Sequence, residues 1–98
     1  MTPDEINAAI AESVGWDDIA YSGARDRFDG YSPRGTIREE IPNYHGSLDS
    51  IVPVVRALDS DDKEIVIEWL MDITKGFTGL ATPPEWCEAY LQWKGLWK

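Results

Sequence analysis

The sequence predicts an α+β fold, in which a small antiparallel β-hairpin or sheet packs with about four helices in the order α-β-β-α-α-α. Two copies of the same helix start, Thr-Pro-X-Glu, lie near the two ends of the chain, at Thr2 and Thr82. Residues 17–44 are rich in turn-forming residues and are typical of strands joined by loops. The 98 residues leave room for a single domain, 1–98.

The first helix is predicted from its capping residues and its apolar spacing. Thr2 is a suitable N-cap, Pro3 fits the first helical position, and Glu5 can complete a capping box. Gly15 is expected to end the helix, and Trp16 is expected to fold back onto it. The apolar stripe is Ile6, Ala9, Ile10 and Val14.

A two-stranded antiparallel pair is predicted in the segment that follows. Ile19 and Tyr21 alternate with polar or small residues, which favours a first short strand. A second strand is expected within Thr36–Ile41, ending before Pro42. The residues between the two strands are expected to form an irregular, glycine-rich connection. Because an isolated hairpin is marginal in water, these strands must pack on helices or on further strands.

Two further helices are predicted after the turn at residues 43–46. Proline is tolerated only in a first helical turn, so Pro53 favours an N-cap at Asp49 or Ser50 rather than at Ser47. The next helix is expected to begin in the acidic run 59–62 and to end at Gly76. Its apolar face is predicted as Ile65, Val66, Trp69, Leu70 and Ile73, with Glu64, Glu68 and Asp72 on the other face.

The last helix is predicted from Thr82 to Gly95, again with a capping box, here closed by Glu85. Leu96 is expected to fold back on Leu91 in a Schellman-type contact. Four large aromatics fall along one side of this helix, and the rest of the chain is expected to cover them. They are Trp86, Tyr90, Trp93 and Trp97.

The charge of the chain excludes some classes of partner. Eighteen acidic residues against nine basic ones give a net charge of −9, which argues against general nucleic-acid binding. An acidic surface of this kind either keeps the protein soluble or resembles nucleic-acid phosphate and occupies a partner's basic groove. No apolar run reaches the ~20 residues of a membrane span, and the N-terminus does not resemble an export signal. The sequence therefore predicts no membrane partner and an intracellular location.

Catalytic chemistry is not predicted. Cys87 and His45 are the only cysteine and histidine, and Cys87 falls in the middle of a predicted helix, as a core thiol would. Asp59, Asp61 and Asp62 lack the glycine and terminal glutamate of a calcium loop and are interpreted as a helix start. No phosphate-binding, dinucleotide or zinc motif occurs. The expectation is a protein that is not an enzyme and uses neither a cofactor nor a metal.

An arginine-rich segment, residues 25–38, is the candidate ligand site. It holds four of the nine basic residues, with aromatic side chains nearby. Arginine can bind phosphate or carboxylate through two hydrogen bonds at once, and aromatic rings can stack on a base. A small nucleotide is therefore one possible ligand. The alternative is a solvated loop whose arginines pair with Asp26, Asp29, Glu39 and Glu40. The candidate ligand residues are Tyr21, Arg25, Arg27, Phe28, Tyr31, Arg34 and Arg38.

A protein interface is the second candidate site. The chain contains five tryptophans, and exposed aromatics are enriched at interfaces. Trp97, next to the C-terminal residue, is the aromatic expected to be incompletely covered, and a homodimer is one way to cover it. The acidic residues proposed to contact a partner are Glu64, Glu68 and Asp72.

Three blocks of the sequence together resemble the phage ABA sandwich domain, a family of small proteins. The blocks are residues 4–12 with Gly15-Trp16, residues 41–44 with 46–49, and residues 81–97. The resemblance covers both ends and the middle of the chain but not Asp17–Glu40. It implies an α-β-α layering and an origin in bacteriophages or in the bacteria that carry them. The family has no assigned activity, so the resemblance implies no reaction.

The function expected from these features is stoichiometric binding by a phage-type accessory protein in the bacterial cytoplasm. The leading hypothesis is inhibition of a host protein, such as a defence component, through acidic and aromatic residues. One alternative is a sponge that sequesters a small nucleotide signal through residues 25–38. A second alternative is a virion or assembly component.

Overall fold

The computed structural model describes all residues, 1–98, and has the α+β fold predicted from the sequence. Four helices accompany a three-stranded antiparallel sheet with strand order β1-β2-β3. Two short 3-10 turns, Tyr44–Gly46 and Thr78–Leu80, precede α2 and α4. The elements are α1 Pro3–Ser13, β1 Asp17–Ser22, β2 Arg27–Tyr31, β3 Glu39–Glu40, α2 Leu48–Arg56, α3 Ser60–Thr74 and α4 Pro83–Lys94.

The two predicted capping boxes are present, and they fix the starts of α1 and α4. At α1 the Thr2 N–H donates to Glu5 Oε1 and the Glu5 N–H donates to Thr2 Oγ1, both at 3.2 Å. Hydrogen bonding of the Glu5 carboxyl to the Thr2 backbone N–H, and then to the Thr2 side chain, lowers the pKa of Glu5. At α4 both the N–H and the hydroxyl of Thr82 donate to Glu85 Oε1 at 2.9 Å. Local sequence alone therefore determines where both helices begin.

The predicted end of α4 is confirmed as well. Gly95 adopts a left-handed backbone with φ of 77°, a conformation that only glycine takes without strain. The Leu96 N–H then donates to the Leu91 carbonyl at 2.9 Å, which is the hydrogen bond of a Schellman motif.

The second strand lies in a different place from the one predicted. β2 spans Arg27–Tyr31, inside the expected glycine-rich connection, and pairs with β1 across a tight turn. Asp26, with φ of 52°, provides the left-handed residue that lets the chain reverse so early. Of the predicted strand Thr36–Ile41, only Glu39–Glu40 is extended and paired, as β3 on the other side of β2.

β1 forms an edge of the sheet and carries an irregularity. The pairing register with β2 shifts between Asp17 and Ala20, and Asp18 in this gap has φ of 50°. Such a bulge bends the strand and increases its twist. The sheet packs on α1, and Ile19 and Phe28 point from the hairpin toward the core.

Helix α2 begins earlier than predicted. Leu48 is its first residue and Ser47 its N-cap, so the expected cap at Asp49 or Ser50 is wrong. Pro53 consequently lies inside the helix and cannot donate to the carbonyl of Asp49. Both residues are exposed, so water can satisfy that carbonyl, and the helix tolerates the missing hydrogen bond.

The core is centred on α4, which packs against α1, α2, α3 and the Tyr44–Gly46 turn. The fully buried residues of this helix are Cys87, Ala89, Tyr90 and Leu91, so of the four aromatics expected to be covered only Tyr90 is fully buried. The three tryptophans of the segment are only partly buried around these residues. No helix of the protein has both the length and the apolar character that crossing a bilayer requires.

Candidate binding surfaces

The arginine-rich segment is held together by its own charges. Arg27 Nε donates to Asp29 Oδ1 at 3.0 Å, and Arg27 Nη1 donates to Glu40 Oε2 at 3.1 Å. The Asp29 side chain is only 6% exposed, so Arg27 neutralises a carboxylate that water hardly reaches. The Arg27–Glu40 pair joins β2 to β3, whereas the Arg27–Asp29 pair lies within β2. Both pairs are among those expected if the segment is structural.

Arg38 closes the same segment from its far end. Its Nη1 donates to Asp18 Oδ2 at 2.8 Å and its Nη2 donates to the Asp29 carbonyl at 2.9 Å. The guanidinium carbon also lies 5.4 Å from the centre of the Tyr31 ring, which is within cation–π range. Arg38 therefore connects the end of the 32–38 loop to both β1 and β2 through hydrogen bonds.

The remaining candidate ligand residues do not converge on one site. Tyr21 donates its hydroxyl to Asp26, which raises the pKa of the Tyr21 hydroxyl, and its ring meets Phe28 edge to face at 5.5 Å. Arg25 and Arg34 are exposed, form no ion pair, and lie in turns beyond opposite ends of β2. A nucleotide at this segment would have to displace the existing partners of its other arginines.

Replacing Arg38 by alanine is expected to lower the free energy of unfolding by about 1 kcal/mol. The reason is that the charge-assisted hydrogen bonds from Arg38 to Asp18 of β1 and to the Asp29 carbonyl of β2 are lost. Arg34→Ala is the matched control and should change stability by less than ~0.5 kcal/mol, since Arg34 has no partner. Urea denaturation followed by circular dichroism measures both. Equal effects of the two substitutions would show that the hydrogen bonds of Arg38 do not contribute to the free energy of unfolding.

Helix α3 presents a second, different surface. Glu64, Glu68 and Asp72 are all exposed and follow one another at four-residue spacing, so they form one stripe along the helix. Ile65 and Trp69 form the neighbouring stripe and are 40% and 41% exposed. The acidic residues proposed as an interface therefore lie beside an uncovered aliphatic and aromatic pair.

The exposure of Ile65 and Trp69 corrects the prediction that both belong to a buried face. Only Val66 and Leu70 of α3 are fully buried. The reason is that α3 packs mainly on α4, so a single neighbouring helix covers only a narrow stripe of it.

Further exposed apolar residues follow the end of α3. Phe77 and Leu80, in the connection to α4, are 68% and 80% exposed, and the Thr78–Leu80 turn packs on α3. Five of the nine exposed large hydrophobic residues of the protein fall within residues 65–80. We name as the α3 surface the residues Glu64, Ile65, Glu68, Trp69, Asp72, Phe77 and Leu80.

Trp97 lies outside the α3 surface. It follows the end of α4 and is half-buried against the core. Trp97 is partly exposed, as predicted. Ile65 and Trp69 of α3 are more exposed than Trp97.

Two of the grooves on the protein surface include candidate ligand residues. The larger, of about 700 Å³, lies between α1, the β1–β2 hairpin and the C-terminal segment. The smaller, of about 360 Å³, is polar and includes His45. There Asn7 donates to Asn43 Oδ1 at 3.1 Å and accepts the His45 backbone N–H at 2.8 Å, so its buried amide already has partners. Of the candidate ligand residues, Phe28 lines both grooves and Arg27 only the smaller one.

The cysteine is buried, as the sequence predicted. Cys87 is fully inaccessible, and burial raises the pKa of its thiol to about 12. A thiol of this kind stays protonated at neutral pH and is a poor nucleophile. No group of three His, Cys, Asp or Glu side chains is placed to hold a metal ion.

Comparison of the chain with protein-family models, with curated proteins and with solved structures found no match. The resemblance to the phage ABA sandwich domain stays a prediction from the three sequence blocks.

Proposed function

We propose that the protein acts by stoichiometric binding to a host protein through the α3 surface, as a phage-type accessory protein that inhibits a defence component. The observation that carries this proposal is the exposure of Ile65 and Trp69 beside an acidic stripe. Contiguous exposed apolar groups bordered by charges mark interaction sites on proteins that are otherwise well packed.

The apolar part of the α3 surface supplies the binding energy. Tryptophan is among the residues most enriched at interface hot spots, where its truncation costs ~2 kcal/mol or more. Trp69 has Ile65 one helical turn before it, so the pair can enter a single apolar pocket. Phe77 and Leu80 extend the area that a partner can cover.

The charged part of the surface selects the partner. Helix α3 contains five acidic residues and one lysine, on a chain with a net charge of −9. A second copy of the same chain would bring acids against acids, which makes self-association through this surface unfavourable. The complementary partner is a protein whose apolar pocket is bordered by lysine and arginine.

The proposal is tested by capturing the partner and then measuring its affinity. The immobilised protein is incubated with bacterial lysate at low and moderate salt, and the captured protein is purified and titrated calorimetrically. Trp69→Ala should weaken binding roughly thirtyfold or more, because a hot-spot truncation of ~2 kcal/mol corresponds to that factor. Ile65→Ala should also weaken it.

Ile37→Ala provides the matched control. Ile37 is 68% exposed but lies outside the α3 surface, so its truncation should leave affinity unchanged. Recovery of no partner at either salt concentration would argue against the proposal, and so would a partner that binds Trp69→Ala as tightly as the original protein. Titration with cyclic and linear nucleotides in the same calorimeter tests the competing sponge hypothesis, for which binding must depend on Arg27 and Arg34.

A further inference from the structure

Helix α3 carries a row of carboxylates that no base neutralises. Four exposed acidic residues follow one another at spacings of three or four, which places them on one side of the helix. None of them forms an ion pair, because every ion pair of the protein lies in the sheet and its loops. At 1.5 Å per residue the row covers about 16 Å of the helix axis. We name these residues the acidic stripe: Asp61, Glu64, Glu68 and Asp72.

The charge of the stripe indicates the lining of the groove that it fits. Lys63 is the one basic residue within α3, and Lys75 follows the last residue of the helix. Five acidic residues against these two lysines leave a surplus of negative charge on the helix. A long row of carboxylates requires a partner groove lined by lysine and arginine. Proteins hold the phosphate backbone of nucleic acids in grooves of this kind.

The exposed Trp69 side chain favours a single strand over a duplex as the nucleic acid that this surface resembles. Trp69 is 41% exposed and lies three residues before Asp72, so its ring borders the acidic stripe. In a duplex each base is covered by the bases stacked above and below it, whereas a single strand presents free base faces beside its phosphates. Proteins that bind single strands combine a positively charged groove with aromatic side chains on which bases stack. The indole ring of Trp69 can stack on such a side chain in place of a base.

We propose that the α3 surface imitates a short single-stranded nucleic acid and occupies the single-strand groove of its partner. The carboxylates of the acidic stripe take the positions of phosphates, and Trp69 takes the position of a stacked base. This inference rests on the proposed function, because it names the site on the partner protein that the α3 surface enters.

The test is competition for proteins already bound to nucleic acid. Beads that carry oligo-dT, oligo-rU or a DNA duplex of the same length are loaded with bacterial lysate at low salt and washed. The purified protein is then added at increasing concentration. It should release at least one protein from single-stranded beads, at a concentration at least tenfold lower than any release from duplex beads requires. The released protein, once purified, should bind the oligonucleotide and this protein in a mutually exclusive way.

Variants connect the release to the α3 surface. Trp69→Ala should raise the concentration needed for release at least tenfold, and so should Glu64→Gln combined with Glu68→Gln. Glu12→Gln combined with Glu39→Gln is the matched control, since it removes the same charge from two exposed acids outside α3. This control should change the release concentration less than twofold. Circular dichroism checks the fold of each variant.

The outcomes separate this inference from the proposed function. Release from duplex beads alone, or equal release by the original protein and the two α3 variants, overturns the inference. A partner that the immobilised protein captures directly, but that binds oligonucleotide and this protein at the same time, also overturns it and leaves the proposed function standing. If no protein is released from any beads and none is captured directly, both are wrong.

Discussion

Replacing Leu91 by alanine is expected to lower the free energy of unfolding by about 2–5 kcal/mol, the range for truncating a large buried aliphatic residue. Leu91 is fully buried, and its helix α4 contacts all three other helices. The cavity left by the substitution would therefore lie within the core around α4. Urea denaturation followed by the fluorescence of the five tryptophans measures the change.

Leu80→Ala is the matched control for this substitution. Leu80 is 80% exposed, so removing the same atoms there should change stability by less than ~0.5 kcal/mol. If Leu91→Ala were no more destabilising than Leu80→Ala, the packing of the other helices around α4 would be wrong.

Raising the pH from 8 to 11 is expected to destabilise the fold through two buried groups. Burial raises the pKa of the Cys87 thiol from 9.0 to about 12 and that of the Tyr44 hydroxyl from 10.0 to about 12. Above pH 9 the thiol ionises in the unfolded chain but stays protonated in the folded one. The unfolded state then binds fewer protons, so stability falls as the pH rises toward 12.

The size of this effect follows from the linkage between pKa and stability. Each unit of pKa difference corresponds to about 1.4 kcal/mol, so Cys87 alone should lower the free energy of unfolding by roughly 2–3 kcal/mol between pH 8 and 11. Tyr44 adds to this loss above pH 10. Below about pH 8 neither group should make stability depend on pH.

Cys87→Ala separates the thiol from all other alkaline titrations. Thermal unfolding at pH 8, 9, 10 and 11 should show a shallower fall for this variant than for the original protein. Native Cys87 should also react with a thiol reagent only as fast as the protein opens. Parallel pH profiles for the two proteins, or rapid native reaction, would contradict the burial of this residue.

The helix ends could be predicted from sequence because their signals are local. Thr2 with Glu5, and Thr82 with Glu85, are three residues apart and form their hydrogen bonds without help from the rest of the fold. The start of α2 differs from the prediction because the restriction of proline to a first helical turn is not absolute. Pro53 is tolerated where the carbonyl it leaves without a donor is open to water.

Strand β2 could not be predicted in the same way. Its sequence, Arg-Phe-Asp-Gly-Tyr, has little of the β-branched character that favours strands. It is stabilised instead by distant partners, such as Glu40 for Arg27 and Arg38 for the Asp29 carbonyl. The residues were expected to form a loop whose arginines either bind a ligand or pair with neighbouring acids. Part of this segment is instead strand β2, which Arg27 and Arg38 stabilise.

The candidate surfaces were predicted only in part. The exposure of Glu64, Glu68 and Asp72 follows from their spacing on a helix, and the structure places them on one stripe. The exposure of Trp69 depends on how many neighbours α3 has, which no local pattern reveals. The larger groove, between α1 and the β1–β2 hairpin, likewise depends on where the hairpin lies.

The bulge in edge strand β1 also affects aggregation at high protein concentration. A free strand edge is where sheets from separate molecules join into fibrils. At this edge the chain is interrupted at Asp18, whose carboxylate is held by Arg38, and Asp17 adds a second negative charge. A strand from another molecule could form few backbone hydrogen bonds with β1, because the bulge breaks the pairing register. If that molecule were a second copy of the chain, the aspartates of the two edges would also repel each other. Concentrated preparations should therefore resist fibril formation through the β1 edge.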